Sequence, residues 1–355
     1  MAASVSTAMR KATLQDIADL AGVSRATVDR ALHGRGRVME GTRQNILRIA
    51  RELNHSPNLR ARGLKLSQSF LIGMVVPNIS KSFYADVVEG TEECLKEHGY
   101  GLILCNIVAR QSAERYQTIL RMQGVDGIIS CAETGYGWER HLRAFADEGT
   151  PVAMINYRVR GVDGPVVYVN QRKGGYLAAK CLLDAGHRRI MFIGRSKGYI
   201  NLERKQGYRQ ALKEAGIEPE EQLSISFENW DEEFDLFVNG LMGGKEPPTA
   251  AFIPSDLAAA RFINRLQSRG YRVPDDLSVV GFDDLSSLEW FIPRLTTIRQ
   301  QKKEMGFYAA ELLLAGLKGR ETKDILLDVS LVERHTVASL PERKIADFKG
   351  DVTGG

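Results

Sequence analysis

Apolar positions change rhythm near residue 66: before it they recur at helical spacing in three short runs, and after it short all-apolar runs alternate with amphipathic ones. Thr13-Leu-Gln-Asp16 followed by Ile17, Ala18 and Ala21 has the pattern of a capping box and predicts a helix from about Leu14 to Ala21. Gly22 permits a tight turn, and Ser24 can cap a second helix with Val28, Ala31 and Leu32 on its buried face. Ile46, Ile49, Ala50 and Leu53 fall at i, i+3, i+4 and i+7, predicting a third helix that closes a small core and stops near Asn54.

Beyond Phe70, strands are predicted at Leu71 to Val76, Leu102 to Cys105, Gly127 to Ser130, Val152 to Ile155, Arg189 to Ile193, Ala250 to Ile253 and Val279 to Phe282. Helices are predicted between them at about Tyr84 to His98, Ala113 to Met122, Trp138 to Asp147, Gly174 to Ala185, Leu202 to Ala215, Glu233 to Met242 and Asp256 to Arg269. Strands apolar on both faces, alternating with helices, predict an α/β body of parallel sheets covered by helices. Ligands on such sheets bind beyond the carboxyl ends of the strands.

Charge divides at the same place as the rhythm. The whole chain of 355 residues carries 48 basic and 44 acidic side chains, but residues 1 to 66 hold twelve and five, a local +7, leaving the remainder at −3. A basic head on a faintly acidic body suits a polyanion-binding module joined to something else. No apolar run approaches the ~20 residues of a membrane span, and the first thirteen residues lack a secretory core, so a cytoplasmic protein with no membrane partner is expected. Cys94, Cys105, Cys131 and Cys181 are far apart and have no histidines at zinc spacing; reduced buried thiols are expected, with no metal and no cofactor.

The exposed face of the second helix would present Arg25, Ala26, Asp29 and Arg30. An arginine near the helix start can reach a guanine edge bidentately, and small neighbours allow close approach to the major groove. Arg35, Arg37, Arg43, Arg48 and Arg51 suit phosphate contacts or plain solubility. The plainer reading is a small helical bundle with solvated arginines.

These residues carry a family resemblance. Leu14-Gln-Asp-Ile-Ala-Asp-Leu-Ala-Gly-Val-Ser-Arg-Ala-Thr-Val-Asp-Arg-Ala-Leu32, Thr42-Arg43, Asn54-His-Ser-Pro-Asn58 and Ala61-Arg-Gly-Leu64 resemble the head and hinge of the lactose-repressor (LacI/GalR) family of transcriptional regulators. The resemblance implies a helix-turn-helix, three-helix head that binds double-stranded operator DNA. It places Arg25 and Ala26 at the base-reading pair, Arg30 at a third specificity position, and Leu64 as the wedge that enters the central minor groove. Thr13, Ser24, Thr27, Arg37, Asn58 and Arg62 complete the expected DNA-contact set. Ser56-Pro57 is a good cap and first helical residue, but the segment to Leu64 contains Gly63 and is too short to persist alone. Met39, His33 and Asp29 depart from the family pattern, the last placing a carboxylate near phosphates.

The resemblance extends to about Val337, through Gly124-Val-Asp-Gly-Ile-Ile129, Ala185-Gly-His-Arg-Arg-Ile190, Arg204-x-x-Gly-Tyr208, the run Val273 to Asp284, and Pro293-Arg-Leu-Thr-Thr-Ile-Arg-Gln300. It implies a periplasmic-binding-protein-like core of two α/β subdomains, joined by three crossing strands, with a small sugar-like effector between them. Crossings are expected near Tyr157 to Asn170, Asp283 to Arg299 and Ile325 to Leu331. Phe83 and Tyr84 match an aromatic slot, Trp230 an aromatic wall, Arg204 a clamp and Asp283 a hydrogen-bonding carboxylate, while Asn156 stands where aspartate is common. Leu202, Ser255 and Ser82 replace a common arginine, asparagine and proline. The implied protein is a homodimeric repressor, not an enzyme.

The expected layout is an N-terminal extension at 1–12, a head at 13–55, a hinge at 56–67, a core at 68–340 and a polar tail at 341–355. Within the core, a first subdomain is expected at about 68–160 and 297–325, and a second at about 170–290 and 326–340. Two alternatives remain. Gly194-Arg-Ser-Lys-Gly198 fits G-x-S-x-G, with Asp283 and then His335 downstream, as in an α/β hydrolase using Ser196. The other is a sugar-binding protein with no regulatory role.

Overall fold

The computed structural model describes residues 12–32, 36–53, 68–132, 137–194, 198–220, 223–226 and 245–340, with Phe234 and Met242. They form two compact units that divide after Ser69. The expected hinge at 56–67, the tail, Asn54, Trp230, Ser196 and nearly all of the helix expected at Glu233 to Met242 lie outside these residues.

The first unit contains α1 (Leu14–Ala21), α2 (Arg25–Leu32) and α3 (Glu40–Glu52). Its capping box forms: the Thr13 amide donates to Asp16 Oδ2 at 2.6 Å and the Asp16 amide donates back to Thr13 Oγ1 at 3.3 Å. Gly22, at φ 67°, then ends α1 in the left-handed region that glycine tolerates. The Thr27 amide donates to Ser24 Oγ at 3.2 Å, so Ser24 starts α2 as expected. Ile17, Ala18, Val28, Ala31, Ile46, Ile49 and Ala50 meet in the core. Met39 precedes α3 with no side-chain cap and is 81% exposed.

The second unit has two lobes, each built on a six-stranded sheet. The first sheet comprises β1 (Leu71–Val76), β2 (Gly101–Asn106), β3 (Gly127–Ser130), β4 (Val152–Ile155), β5 (Val166–Val169) and β11 (Ile325–Leu327), in the order β11-β5-β4-β3-β1-β2. All its pairings are parallel. Around it lie α4 (Ser82–Glu97), α5 (Arg110–Gln123), α6 (Glu139–Asp147) and α10 (Lys302–Leu317). The second sheet comprises β6 (Ile190–Gly194), β7 (Ser224–Ser226), β8 (Ala250–Phe252), β9 (Ser278–Asp283), β10 (Thr296–Gln300) and β12 (Val329–Val332), in the order β12-β10-β9-β8-β6-β7. Only β12 pairs antiparallel there, on β10. Its helices are α7 (Gln171–Asp184), α8 (Tyr199–Glu214) and α9 (Asp256–Ser268).

The chain passes between lobes after β5, after β10 and between β11 and β12. Three strand placements differ from the expected layout. β5 extends the first lobe to Val169, β10 belongs to the second lobe although residues from 297 were expected in the first, and β11 keeps the first lobe to Leu327. In each case the ladder partner decides, and apolar periodicity carries no information about which sheet a strand joins. The helix α10 is not among the sequence expectations. Phe307, Tyr308 and Leu312, half-buried beside the buried row Met305, Ala309, Ala310, Leu313 and Leu314, blur its amphipathic pattern.

Each lobe is tied by a pair of helices packed through glycine. A Cβ at Gly90 of α4 would overlap the Lys303 carbonyl of α10, and one at Gly306 of α10 would overlap the Val87 carbonyl of α4. In the second lobe Gly175 of α7 meets the carbonyl of Arg204, and Gly207 of α8 meets the carbonyl of Arg172. Close backbone approach of this kind leaves no room for a side chain.

Candidate functional site

In the head, the start of α2 is set by the Gly22 turn and the Ser24 cap, which bring Arg25 and Ala26 out to solvent. Arg25 has no hydrogen bond or ion pair among the described residues, and neither does the exposed Arg37. Arg30 instead folds back on its own helix, with Nε donating to the Ala26 carbonyl at 3.2 Å and Nη2 to Thr27 Oγ1 at 3.3 Å. Ser24 Oγ and Thr27 Oγ1 lie 2.9 Å apart, and Thr13 is held by Asp16. Asn58, Arg62 and Leu64 lie outside the described residues.

Between the lobes, at the carboxyl ends of the strands, is a cleft of about 440 Å³. It brings together Phe83 and Tyr84 from the first turn of α4, Asn156 after β4, Arg204 from α8 and Asp283 at the end of β9. The two aromatic rings stand edge to face, with centroids 5.1 Å apart. Asn156 takes φ 62°, and its Oδ1 accepts the Val169 amide at 3.2 Å. Ser82 Oγ lies 2.8 Å from Ser287 Oγ, a direct contact between the lobes, and Ser255 lines the same cleft. Leu202 is 49% exposed and does not line it.

Arg204 is buried against α7 and β9. Its Nε donates to Gln171 Oε1 at 2.7 Å and Nη1 to the Pro254 carbonyl at 2.6 Å, while the guanidinium lies 3.5 Å from the centre of the Phe282 ring. Its Nη2 is 3.7 Å from Asp283 Oδ1. The two carboxylates of α8 are engaged elsewhere, Glu203 by Arg172 and Glu214 by Tyr176 and Gln210. Asp283 also accepts from Gln300 Nε2 at 2.6 Å. Lys302 Nζ donates to the backbone carbonyls of Asp283 and Asp284, both at 2.7 Å, holding two residues whose φ values of 122° and 50° are costly for side-chain-bearing residues.

The electrostatics follow from burial. Burial raises the Asp283 pKa, and Arg204, Lys302 and the Gln300 hydrogen bond oppose the rise. Behind it, Asp256 is pushed up to about 7 by burial and by the Asp283 charge, against hydrogen bonds from the Thr297 hydroxyl at 2.5 Å and the Leu285 amide at 3.0 Å. Burial also works against the Asp284 charge, but hydrogen bonds from Arg299 and Arg334 outweigh it and hold that carboxyl below its ordinary value.

Gln300 is the main lining residue that sequence reasoning passed over. The signal was available: a polar residue at the carboxyl end of a buried strand, inside a motif already singled out. Cys131 also lines the cleft, where burial pushes its thiol up to about 12. Burial likewise raises Cys94, Cys105 and Cys181, and all four cysteines are free. Among the described residues no cluster of His, Cys, Asp or Glu could hold a metal, and no helix is long and apolar enough to cross a membrane.

A helix-turn-helix head and a two-lobed core with a cleft between its sheets define a ligand-binding DNA regulator as the class of protein. Residues 13–58 match the bacterial regulatory proteins of the lacI family, and residues 179–337 match a periplasmic binding protein-like domain. The chain is 33% identical over 337 residues to the HTH-type transcriptional repressor PurR of Vibrio atlanticus (strain LGP32), covering 93% of this chain and 99% of that protein. It is 35% identical over 347 residues to the HTH-type transcriptional regulator DegA of Bacillus subtilis (strain 168), with the same coverage. Among solved structures, the lac repressor dimer bound to operator and the anti-inducer ONPF superposes with a TM-score of 0.75 at 26% identity, covering 93% of this chain and 100% of that one. The transcriptional regulator CelR in complex with cellobiose superposes with a TM-score of 0.67 at 30% identity, covering 92% and 99%. The chain belongs to the lacI family of bacterial regulatory proteins and is a DNA-binding transcriptional regulator.

Proposed function

We propose that the protein is a homodimeric repressor whose hold on operator DNA is set by a small, polar, sugar-like effector in the cleft. The observation that carries the DNA half is Arg25, exposed and unpaired among the described residues at the start of the helix that follows the Gly22 turn. Arg25 and Ala26 would read base edges, while Thr13, Ser24, Thr27, Arg37, Asn58 and Arg62 would contact the backbone. Arg30 must leave Ala26 and Thr27 before it can reach DNA. The layout proposed is a head at 13–55, a hinge at 56–67 that folds on the operator, a core at 68–340 and a tail at 341–355, acting in the cytoplasm.

The cleft half of the reading rests on an aromatic slot facing a buried arginine and carboxylate, a combination suited to hydroxyl-rich molecules. Phe83 and Tyr84 would stack on the effector and Trp230 would wall it, with Asn156, Arg204 and Asp283 fixing its polar groups. The cellobiose in the CelR complex is a ligand of this chemistry. No catalytic role is inferred: Asp283, the acid of the G-x-S-x-G alternative, is committed to Gln300 and Arg204. Dimerisation is supported by exposed apolar side chains on both lobes, Val108 and Met122 on the first and Trp290 and Ile292 on the second.

Effector binding would change the angle between the lobes and the spacing of the two hinges, with a coupling of ~1–3 kcal/mol. Gel-shift titration tests the head. Leu64→Ala lowers specific binding and spares non-specific binding at low salt, and equal loss in both defeats the wedge assignment. Arg25→Ala relaxes preference at one operator position by ~1–3 kcal/mol, whereas a uniform loss across sequences makes it a phosphate contact. A thermal-shift series with cellobiose, ribose and sugar acids tests the cleft, since a ligand that binds only the native state raises its stability.

A further inference from the structure

A second concavity, of about 380 Å³, lies on the first lobe between α6 and the β4–β5 connection. Arg140 and Arg143 enter it from α6, and Tyr157, Val159 and Arg160 from the connection; Glu139 is the one acidic residue among those lining it. The guanidinium of Arg140 is met by Glu114 at 2.5 Å. Arg143 and Arg160 have no hydrogen bond or ion pair among the described residues. The Arg143 side chain runs past Gly161, which takes φ 77°, so its Cδ lies beside the turn that follows Arg160.

Two carboxylates of this lobe are engaged by other arginines. Glu148 pairs with Arg121 at 2.5 Å, and Asp324 pairs with Arg158 at 2.8 Å. Neither Asp147 nor Asp163 forms an ion pair with Arg143 or Arg160 in the described residues. Two arginine side chains, neither of them paired with a carboxylate among the described residues, line one hollow together with Tyr157.

We propose that this hollow is a second ligand site, for a small multivalent anion carrying phosphate or paired carboxylates. Guanidinium forks match either group through parallel N–H···O bonds, and a dianion turns the repulsion between Arg143 and Arg160 into two attractions. Asn156 lines the main cleft and the next residue, Tyr157, lines this hollow. An anion held by Arg160 and Arg143 restrains residues 157–160 and with them Asn156, giving the regulator a second chemical input by linkage. Anion binding itself does not depend on what occupies the main cleft.

The test is isothermal titration of the full chain with pyrophosphate and, separately, succinate at fixed ionic strength. One saturable site per chain is expected, weakened about tenfold or more by Arg143→Ala or Arg160→Ala and unchanged by Arg261→Ala, which removes a surface arginine of α9. Tighter binding of pyrophosphate names a phosphate ligand, and tighter binding of succinate a dicarboxylate. The proposal is overturned if neither anion saturates by about 10 mM, or if both bind the two variants as they bind the native chain. Unchanged melting temperatures in the variants exclude loss of fold as the cause. Operator or non-specific DNA binding that falls in both variants, with no small-anion site in the native chain, overturns it in favour of a phosphate-backbone contact.

Discussion

The head and the cleft hold their arginines in opposite ways. Arg25 stands in solvent with no partner among the described residues, whereas Arg204 is 6% exposed, bonded to Gln171 and Pro254, stacked on Phe282 and facing Asp283. An arginine that reads bases, the role proposed for Arg25, must shed its water when DNA arrives, so its cost falls on the binding step. An arginine already dehydrated and oriented has met that cost during folding, which suits recognition of a small molecule with few groups to hold. The same residue type therefore contributes mainly to binding in one region and mainly to stability in the other.

Substitutions break this contrast most strongly in the cleft. Arg204→Met leaves Asp283 buried beside one fewer cation and lowers stability by ~3–5 kcal/mol in urea unfolding. Gly175→Ala drives a methyl group into the Arg204 carbonyl and forces α7 from α8, at a cost of ~1–3 kcal/mol by the same measurement.

A third test uses pH. The Asp256 pKa lies near 7 in the folded protein against 3.8 in its absence, so the folded state binds the proton more tightly. Its contribution is complete below about pH 4 and is lost as pH rises towards 7, with a slope of at most about 1.4 kcal/mol per pH unit. Asp256→Asn should flatten that part of the stability curve, leaving the slope due to Asp283, whose carboxyl pKa burial also raises. In the head, Thr13→Ala removes half of the capping box and costs ~1 kcal/mol in thermal melts of the full chain. Arg25→Ala completes the contrast: stability within ~0.5 kcal/mol of the native chain, with the whole effect in DNA binding.

Elements framed by local chemistry are legible in the residues themselves. The bounds of α1 follow from the Thr13–Asp16 box and the left-handed Gly22, and β1, β3 and β4 run as their unbroken apolar stretches predict. Elements defined by distant partners are not. The strands β10 and β11 take their lobe from ladders with β9 and β5, and α10 is apolar on too much of its surface to show a face. The same division applies to the cleft. Family motifs led to Phe83, Tyr84, Asn156, Arg204 and Asp283, all of which line it. The Lys302 brace beneath Asp283 and the recoiled Arg30 depend on side-chain geometry that spacing does not encode.

The glycine contact between α4 and α10 also constrains how the chain is made. Residues 90 and 306 emerge from the ribosome more than two hundred positions apart, and β5 also waits for its neighbour β11 while the second lobe is made. The helices and strands from α7 to β10 form a nearly continuous stretch of the second lobe and are synthesised before α10 appears. The nascent first lobe therefore stays incomplete while the second assembles, with the face of α4 around Gly90 uncovered. A long interval before such a distant contact closes exposes the chain to aggregation and makes translation speed part of its folding. A pause between β5 and α10 would prolong the exposed state.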